Sequence, residues 1–255
     1  MQSYAAVILD IEGTTTPISF VHDTLFPYVT NNIEKFLREN WGRPELEEQI
    51  DLLRDQASID VKDGISDAKW IPDKSADISS SEDMQAAVIY NITWQMKQNR
   101  KIGALKSFQG YMWKSGYETG DLKGIIYDDV VEAFHKWNHM GCKVYIYSSG
   151  SVQAQKLLFS HSNKGNLLEH LSGHFDTNIG PKIKSESYVN IAKSIGEQTK
   201  NIIFLTDSAQ EAVAAEGAGL QVVIVVRPGN ASLPSYITEN ANIKIIDNFL
   251  TLFNK

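Results

Sequence analysis

The chain of 255 residues contains one cysteine, Cys142. A lone cysteine excludes a disulfide framework and any zinc site built from several cysteines, and it fits a reducing compartment. Basic residues are the minority charge: 24 Lys and Arg stand against 31 Asp and Glu, for a formal net charge of −7. A nucleic-acid binder is expected to carry a basic excess, so no nucleic-acid partner is expected. No apolar run approaches the roughly 18–20 residues of a membrane span, so no membrane partner is expected either. Met1-Gln2-Ser3-Tyr4 lacks the basic start of a signal peptide, and the apolar stretch after it ends at Asp10. These absences predict a cytoplasmic protein, with nuclear access left open. There is no internal repeat.

What remains is an ordinary globular composition, with 42% hydrophobic and 22% charged residues. Such a length can bury a sizeable core without a disulfide or structural metal. It corresponds to about 1.7 average domains, an awkward figure. The chain pattern resolves it. Ala5 to Leu9 is an unbroken apolar run, as in a strand buried on both faces. Then the rhythm turns helical. Asp23 to Arg38, Pro44 to Ala57, Met84 to Gln98 and Ile102 to Tyr117 read as helices. Asp60 to Asp83 is polar and interrupted by Gly64, Pro72 and a serine run, which predicts a loop, the most mobile segment. No convincing strand lies between Phe20 and Leu122.

From Asp128 onward helices and apolar strands alternate. Lys143 to Tyr147, Ile202 to Thr206 and Val222 to Val226 read as strands, with Lys244 to Ile246 a further candidate. Helices are predicted over 128–140, 152–159, 185–195 and 209–218. This alternation predicts an α/β fold: a doubly wound parallel sheet with an inserted all-helical cap domain. The expected division is a catalytic core of 1–18 and 124–255, with the helical insert over 19–123.

The polar residues at the strand ends carry the chemistry. Asp10 follows the first strand, Ser148 and Ser149 follow KVYIY, and Asp207 follows IIFLT. Ligands bind at this edge of open α/β sheets. Two carboxylates there can hold a hard cation such as Mg²⁺. Hydroxyls and a helix N-terminus at Gly150-Ser151 suit a phosphate. Taken singly, each is equally well a turn or helix-cap residue. Their coincidence at matching strand ends weakens that plainer reading.

The same residues carry a family resemblance. Asp10-Ile11-Glu12-Gly13-Thr14 resembles the first motif of haloacid dehalogenase-like phosphatases, Asp-x-Asp-x-Thr after a strand. Tyr147-Ser148-Ser149-Gly150 resembles the second, Lys182 or Lys184 the third, and Thr206-Asp207-Ser208-Ala209-Gln210-Glu211 the fourth. An insert between the first and second motifs is where this superfamily places a cap. The stretches DIEGTTTPISFV, LKSFQGYMWKSGYETG, VYIYSSGSVQAQKLLF, GHFDTNIGPK and VVRPGN are similar to the enolase-phosphatases of methionine salvage, the acireductone synthases. That similarity covers nearly the whole chain and is weakest over 51–83. Glu12 stands where most superfamily phosphatases have Asp, as it does in the enolase-phosphatase branch.

The resemblance implies a bifunctional reaction. The substrate would be a small phosphorylated diketone, 2,3-diketo-5-methylthiopentyl-1-phosphate. It would be enolised and dephosphorylated to 1,2-dihydroxy-3-keto-5-methylthiopentene. Asp10 would be the nucleophile and Glu12 the acid and base. Asp10, the Glu12 carbonyl and Asp207 would hold one Mg²⁺ per subunit. Ser148, Ser149 and Lys182 would bind substrate, and Glu211 would orient Lys182 or a metal-bound water. Mg²⁺ or Lys182 could stabilise the enolate, with Ser149 or Glu12 assisting. The expected oligomeric state is a monomer.

Other readings stay open at this point. One is a phosphatase of the same superfamily acting on another small phosphoester, which only the cap would distinguish. A haloacid dehalogenase proper would not need the carboxylates Glu12 and Asp207. A non-catalytic scaffold would not need Asp10, Glu12, Lys182 and Asp207 together. Phe20, Phe26, Trp94, Met112 and Trp113 are candidates for an apolar lid, or more simply for the insert's own core. His135 and His139 share a helix face but have no third ligand beside them. Gly217-Ala218-Gly219 precedes a strand, so it cannot open a dinucleotide site. Arg227-Pro228-Gly229-Asn230 follows a strand at the catalytic edge and either shapes the site or is a plain turn.

Overall fold

A computed structural model describes residues 4–73 and 81–254. The chain divides into two compact units, Met1–Thr24 with Gly120–Lys255, and Leu25–Thr119.

The first unit holds a six-stranded sheet. Its strands are β1 (Ala6–Leu9), β2 (Lys143–Tyr147), β3 (Gly173–Phe175), β4 (Ile202–Thr206), β5 (Gln221–Val225) and β6 (Lys244–Ile246). They lie in the order β3-β2-β1-β4-β5-β6, and every neighbouring pair is parallel. The sheet therefore winds outward from β1 in both directions, as doubly wound sheets do.

Both faces of the central strands are buried, which is why they read as unbroken apolar runs. On one face Ala6, Ile8, Tyr145, Tyr147, Phe204 and Ile224 pack with Tyr188 and Ile191 of one helix and Ala212 and Ala215 of another. On the other, Val7, Leu9, Val144, Ile146, Leu205 and Val223 are equally buried. Each such aliphatic side chain contributes about 1.5–3 kcal/mol by leaving water.

The second unit consists, among the described residues, of α1 (Phe26–Asn40), α2 (Pro44–Lys62), α3 (Ser81–Lys97) and α4 (Gly103–Thr119). Its core joins Val29, Ile33, Leu37, Ile50, Phe108 and Met112, among others. Of the aromatic and Met residues considered for a lid, Met112 is fully buried in this core and Trp94 is 7% exposed. Trp113 stacks on Phe26 at 6.4 Å and donates its indole N–H to the Leu25 carbonyl at 2.9 Å. Those side chains serve the unit's own packing. Phe20, in the first unit, is 2% exposed.

The remaining helices are α5 (Asp128–His139), α6 (Val152–Ser160), α7 (Ser185–Ile195), α8 (Ala209–Gly217) and the short α9 (Ser235–Thr238). Differences from the sequence reading sit at element ends. Residues 21–25 form one wide π-helical turn, so α1 starts at Phe26 and not at Asp23. Helix α2 extends to Lys62, into the segment expected as loop, and residues 74–80 of that expected loop lie outside the described residues. Strand β3 was not anticipated, because three residues are too few to show a period of two. No described helix is long and apolar enough to cross a membrane.

Candidate active site

The register of the sheet sets the site. Leu9 pairs with Ile146 on one side and Leu205 on the other. Asp10 therefore falls level with Tyr147 and Thr206, and Ser148 and Asp207 follow one residue later. β1 and β4 adjoin where the winding reverses direction, so Asp10 and Asp207 stand at the switch point where such sheets bind ligands.

Asp10 is 6% exposed, and its backbone N–H still belongs to the sheet, donating to the Leu205 carbonyl at 3.0 Å. Its Oδ1 accepts from the Ile11 N–H at 2.7 Å and from Lys182 Nζ at 2.6 Å. After Asp10 the chain turns tightly. The N–H groups of Thr14, Thr15 and Thr16 all aim at the Ile11 carbonyl at 3.0–3.2 Å. Gly13 adopts φ +70 in this turn, and a Cβ there would lie 2.3 Å from Asp207 Oδ2, so only glycine fits.

Lys182 joins two carboxylates. Besides Asp10 it reaches Glu211 Oε2 at 2.7 Å. Burial works against its charge, but Asp10 and Glu211 outweigh burial and hold its pKa above the ordinary lysine value. Lys184, the other sequence candidate, is exposed and lies at the start of α7. The Lys182 carbonyl accepts from the Tyr188 hydroxyl at 2.7 Å, and the Gly180 carbonyl from the Tyr147 hydroxyl at 2.8 Å. The lysine's loop is thus held by two buried tyrosines.

Thr206 opens the fourth motif, but the sequence assigns it no role of its own. Its Oγ1 lies 2.9 Å from Glu211 Oε2 and 3.2 Å from Asp10 Oδ2, and it accepts the Ser208 N–H at 3.1 Å. One hydroxyl proton serves one carboxylate at a time. The signal that could have found it is its place as the only polar residue of the IIFLT strand.

Ser148 is 5% exposed, and its Oγ accepts the Gly150 N–H at 3.2 Å. Ser149 is exposed. The capping reading of these two segments holds through their last residues: Ser151 Oγ accepts the Ala154 N–H and Ser208 Oγ the Glu211 N–H. Neither Asp10 nor Asp207 caps a helix. His135 lies against the His170 ring at 4.5 Å between centroids, and His139 is exposed.

The anions outnumber the cations here. Burial, then repulsion from Asp10 and Glu12, pushes the Asp207 carboxyl up to about 7, with Lys182 pulling the other way. Burial and Asp10 also push the Glu211 carboxyl up to about 7. The one buried ammonium among these groups is already shared between Asp10 and Glu211. A divalent cation would supply the opposing charge. Among the described residues no three His, Cys, Asp or Glu side chains cluster as a metal cage. Two carboxylates with a main-chain carbonyl and waters suit Mg²⁺, which keeps several waters and needs no such cage. The donor set is therefore compatible with that ion.

Comparison with known proteins identifies the family. Residues 4–219 match the haloacid dehalogenase-like hydrolase family. The chain is 54% identical over 228 residues to enolase-phosphatase E1 of Xenopus tropicalis, covering 89% of this chain and 86% of that protein. It is 47% identical to a probable bifunctional methylthioribulose-1-phosphate dehydratase/enolase-phosphatase E1 of Populus trichocarpa, over 95% of this chain and 46% of that longer protein. Among solved structures, the UTR4 protein of Saccharomyces cerevisiae superposes with a TM-score of 0.75 at 32% identity, over 98% of this chain and 100% of that one. With its parallel sheet, its carboxylates at the switch point and these relatives, the chain belongs to the enolase-phosphatase E1 family of haloacid dehalogenase-like hydrolases.

Proposed function

We propose that the chain is a bifunctional enolase-phosphatase of methionine salvage. It takes 2,3-diketo-5-methylthiopentyl-1-phosphate to 1,2-dihydroxy-3-keto-5-methylthiopentene and phosphate. The observation that carries the phosphatase half is the contact of Asp10 with Lys182 at the switch point. A carboxylate nucleophile needs a fixed orientation and a neighbouring cation before it can meet an anionic phosphate.

Asp10 attacks phosphorus, and the phosphorus–alkoxide bond breaks as the aspartyl-phosphate forms. Glu12 gives its proton to the departing alkoxide. It then takes a proton from the water that cleaves the aspartyl-phosphate, regenerating Asp10 and releasing phosphate. Proton transfer of this kind contributes roughly 10²–10⁴ in rate. Lys182 has three N–H donors, two of them directed to Asp10 and Glu211, and the third serves a phosphate oxygen. The Ser148 hydroxyl and Ser149 bind the substrate's polar groups. Mg²⁺, held by Asp10, the Glu12 carbonyl and Asp207, would supply charge neutralisation between nucleophile and phosphate. For the enolase half, Lys182 is the chain's own cation near the reacting group and stabilises negative charge on an enolate oxygen.

The helical unit Leu25–Thr119, inside the insert expected over 19–123, is assigned the role of cap, the part that selects the substrate. The working unit is taken to be a monomer. A cytoplasmic location fits its single buried thiol. The test is incubation of the diketo phosphate with the protein and Mg²⁺, following the enol by ultraviolet absorbance and phosphate by its release. Both signals are expected, the enol first. Phosphate release from many phosphoesters without an enol signal would instead favour a general phosphatase.

A further inference from the structure

The turn Arg227-Pro228-Gly229-Asn230 after β5 has no part in the reaction as written. It nevertheless grips the loop that carries Glu12. Asn230 Nδ2 donates to the Gly13 carbonyl at 2.8 Å and to the Val225 carbonyl at 3.3 Å. Arg227 Nε donates to the Thr14 carbonyl at 3.2 Å. Two side chains of one turn thus hold the two successive carbonyls that follow Glu12.

The two carbonyls fix the orientation of the Asn230 amide, since only its nitrogen can donate to them. Its Oδ1 then faces away, buried and without a hydrogen-bond partner. It lies 2.8 Å from where a Gly13 Cβ would sit. An unpaired buried acceptor costs stability, so packing alone would favour an apolar side chain here. The two donated bonds are what this residue contributes.

Arg227 is itself held on every side. It is 7% exposed, and its Nη2 donates to Asp129 Oδ2 at 2.8 Å and its Nη1 to the Asp247 carbonyl at 2.9 Å. Its guanidinium lies 4.2 Å from the Tyr127 ring centroid and 5.2 Å from that of Phe249. Asp129 Oδ2 also accepts the Phe249 N–H at 2.7 Å. The grip on Thr14 is therefore anchored to Asp129 in the first turn of α5 and to the Asp247 carbonyl just after β6.

We infer that Asn230 and Arg227 are positioning residues that fix the peptides after Glu12 and so aim its carboxyl during proton transfer. Glu has one more rotatable bond than Asp, so a proton donor of this length depends more on a fixed backbone. The inference rests on the reading of Glu12 as the acid and base.

The test is a double-mutant cycle on the intact enzyme with Glu12→Gln and Asn230→Ala, read as kcat for phosphate release from the diketo phosphate. In the otherwise native chain, Asn230→Ala is expected to lower kcat about 10–100-fold with KM within about 2-fold. In the Glu12→Gln background the same change is expected to cost less than about 3-fold, because no proton transfer remains to be misaligned. In metal-free protein, exchange of the 13–16 amides should speed up in Asn230→Ala. Unchanged exchange, or equal losses in both backgrounds, overturns the inference. Near-native turnover in Glu12→Gln alone removes the acid–base reading, and this inference with it. If Asn230→Ala does not fold, Asn230→Ser, too short to reach both the Gly13 and Val225 carbonyls, enters the same cycle with the same expected non-additivity.

Discussion

Lys182 Nζ lies 2.6 Å from Asp10 Oδ1, although 172 positions separate the two residues. The contact joins the loop before α7 to the end of the central strand. It places the chain's buried ammonium against its proposed nucleophile, with Glu211 on the same ammonium. Charge, position and burial are therefore set together.

Asp10→Asn keeps the shape of the side chain and its acceptor for the Ile11 N–H. Phosphate release is expected to fall by at least about 10³-fold while the far-ultraviolet circular dichroism spectrum stays native. Brief reaction with labelled substrate, followed by acid quench, should leave label on the native protein and none on the variant. Turnover close to native would sink the covalent mechanism.

Lys182→Met removes the cation and leaves Asp10 and Glu211 facing each other in a buried site. Loss of one partner of a buried ion pair costs about 3–5 kcal/mol. Urea unfolding should show a loss of that size, and activity should vanish. Adding Glu211→Gln removes one anion and is expected to recover part of the stability but none of the activity. Recovery of both would show that the lysine is only structural.

Gly13→Ala meets two obstacles, its positive φ and the approach of Asp207 Oδ2 to 2.3 Å. The expected cost is about 1–3 kcal/mol in stability, with at least about a 10-fold loss of activity. Gly42→Ala is the control. Gly42 has φ +80 but nothing within 4 Å of a Cβ, so it should lose about 1 kcal/mol and keep full activity. Equal activity losses in the two variants would contradict the crowding argument.

His174 on β3 gives a pH dependence. Burial, then the nearby charge of Lys156, lowers its pKa from 6.5 to about 4, and its ring hydrogen-bonds to Gln155 Oε1 at 3.2 Å. Between pH 6.5 and about 4 the unfolded chain takes up a proton here that the folded chain does not. The stabilisation is therefore complete above pH 6.5 and declines as pH falls through that window. His174→Asn should flatten this part of the curve of unfolding midpoint against pH. An unchanged slope would mean that other groups govern it.

Much of this protein is legible without coordinates. β1, β2, β4 and β5 are buried on both faces, so their unbroken apolar runs announce them. Asp10, Ser148 and Asp207 follow those runs directly, and parallel strands place such residues on one edge. β3 was not legible, because three residues carry no period and its pairing with β2 supplies the rest. The start of α1 was missed because apolar spacing does not distinguish a wide π-helical turn from a regular one.

Local pattern determined the alternation of helices and strands, the helical insert and the residue types at each strand end, because burial imposes periods of 2 and 3.6 on the chain. Tertiary structure alone chose Lys182 over Lys184, brought Thr206 between Asp10 and Glu211, and laid Asn230 and Arg227 on the carbonyls after Glu12. Those decisions depend on distances of about 3 Å between residues as many as 217 positions apart, which the register of the sheet and the path of its loops set. No sequence window contains both partners of such a contact, so its geometry is decided only when the core has packed.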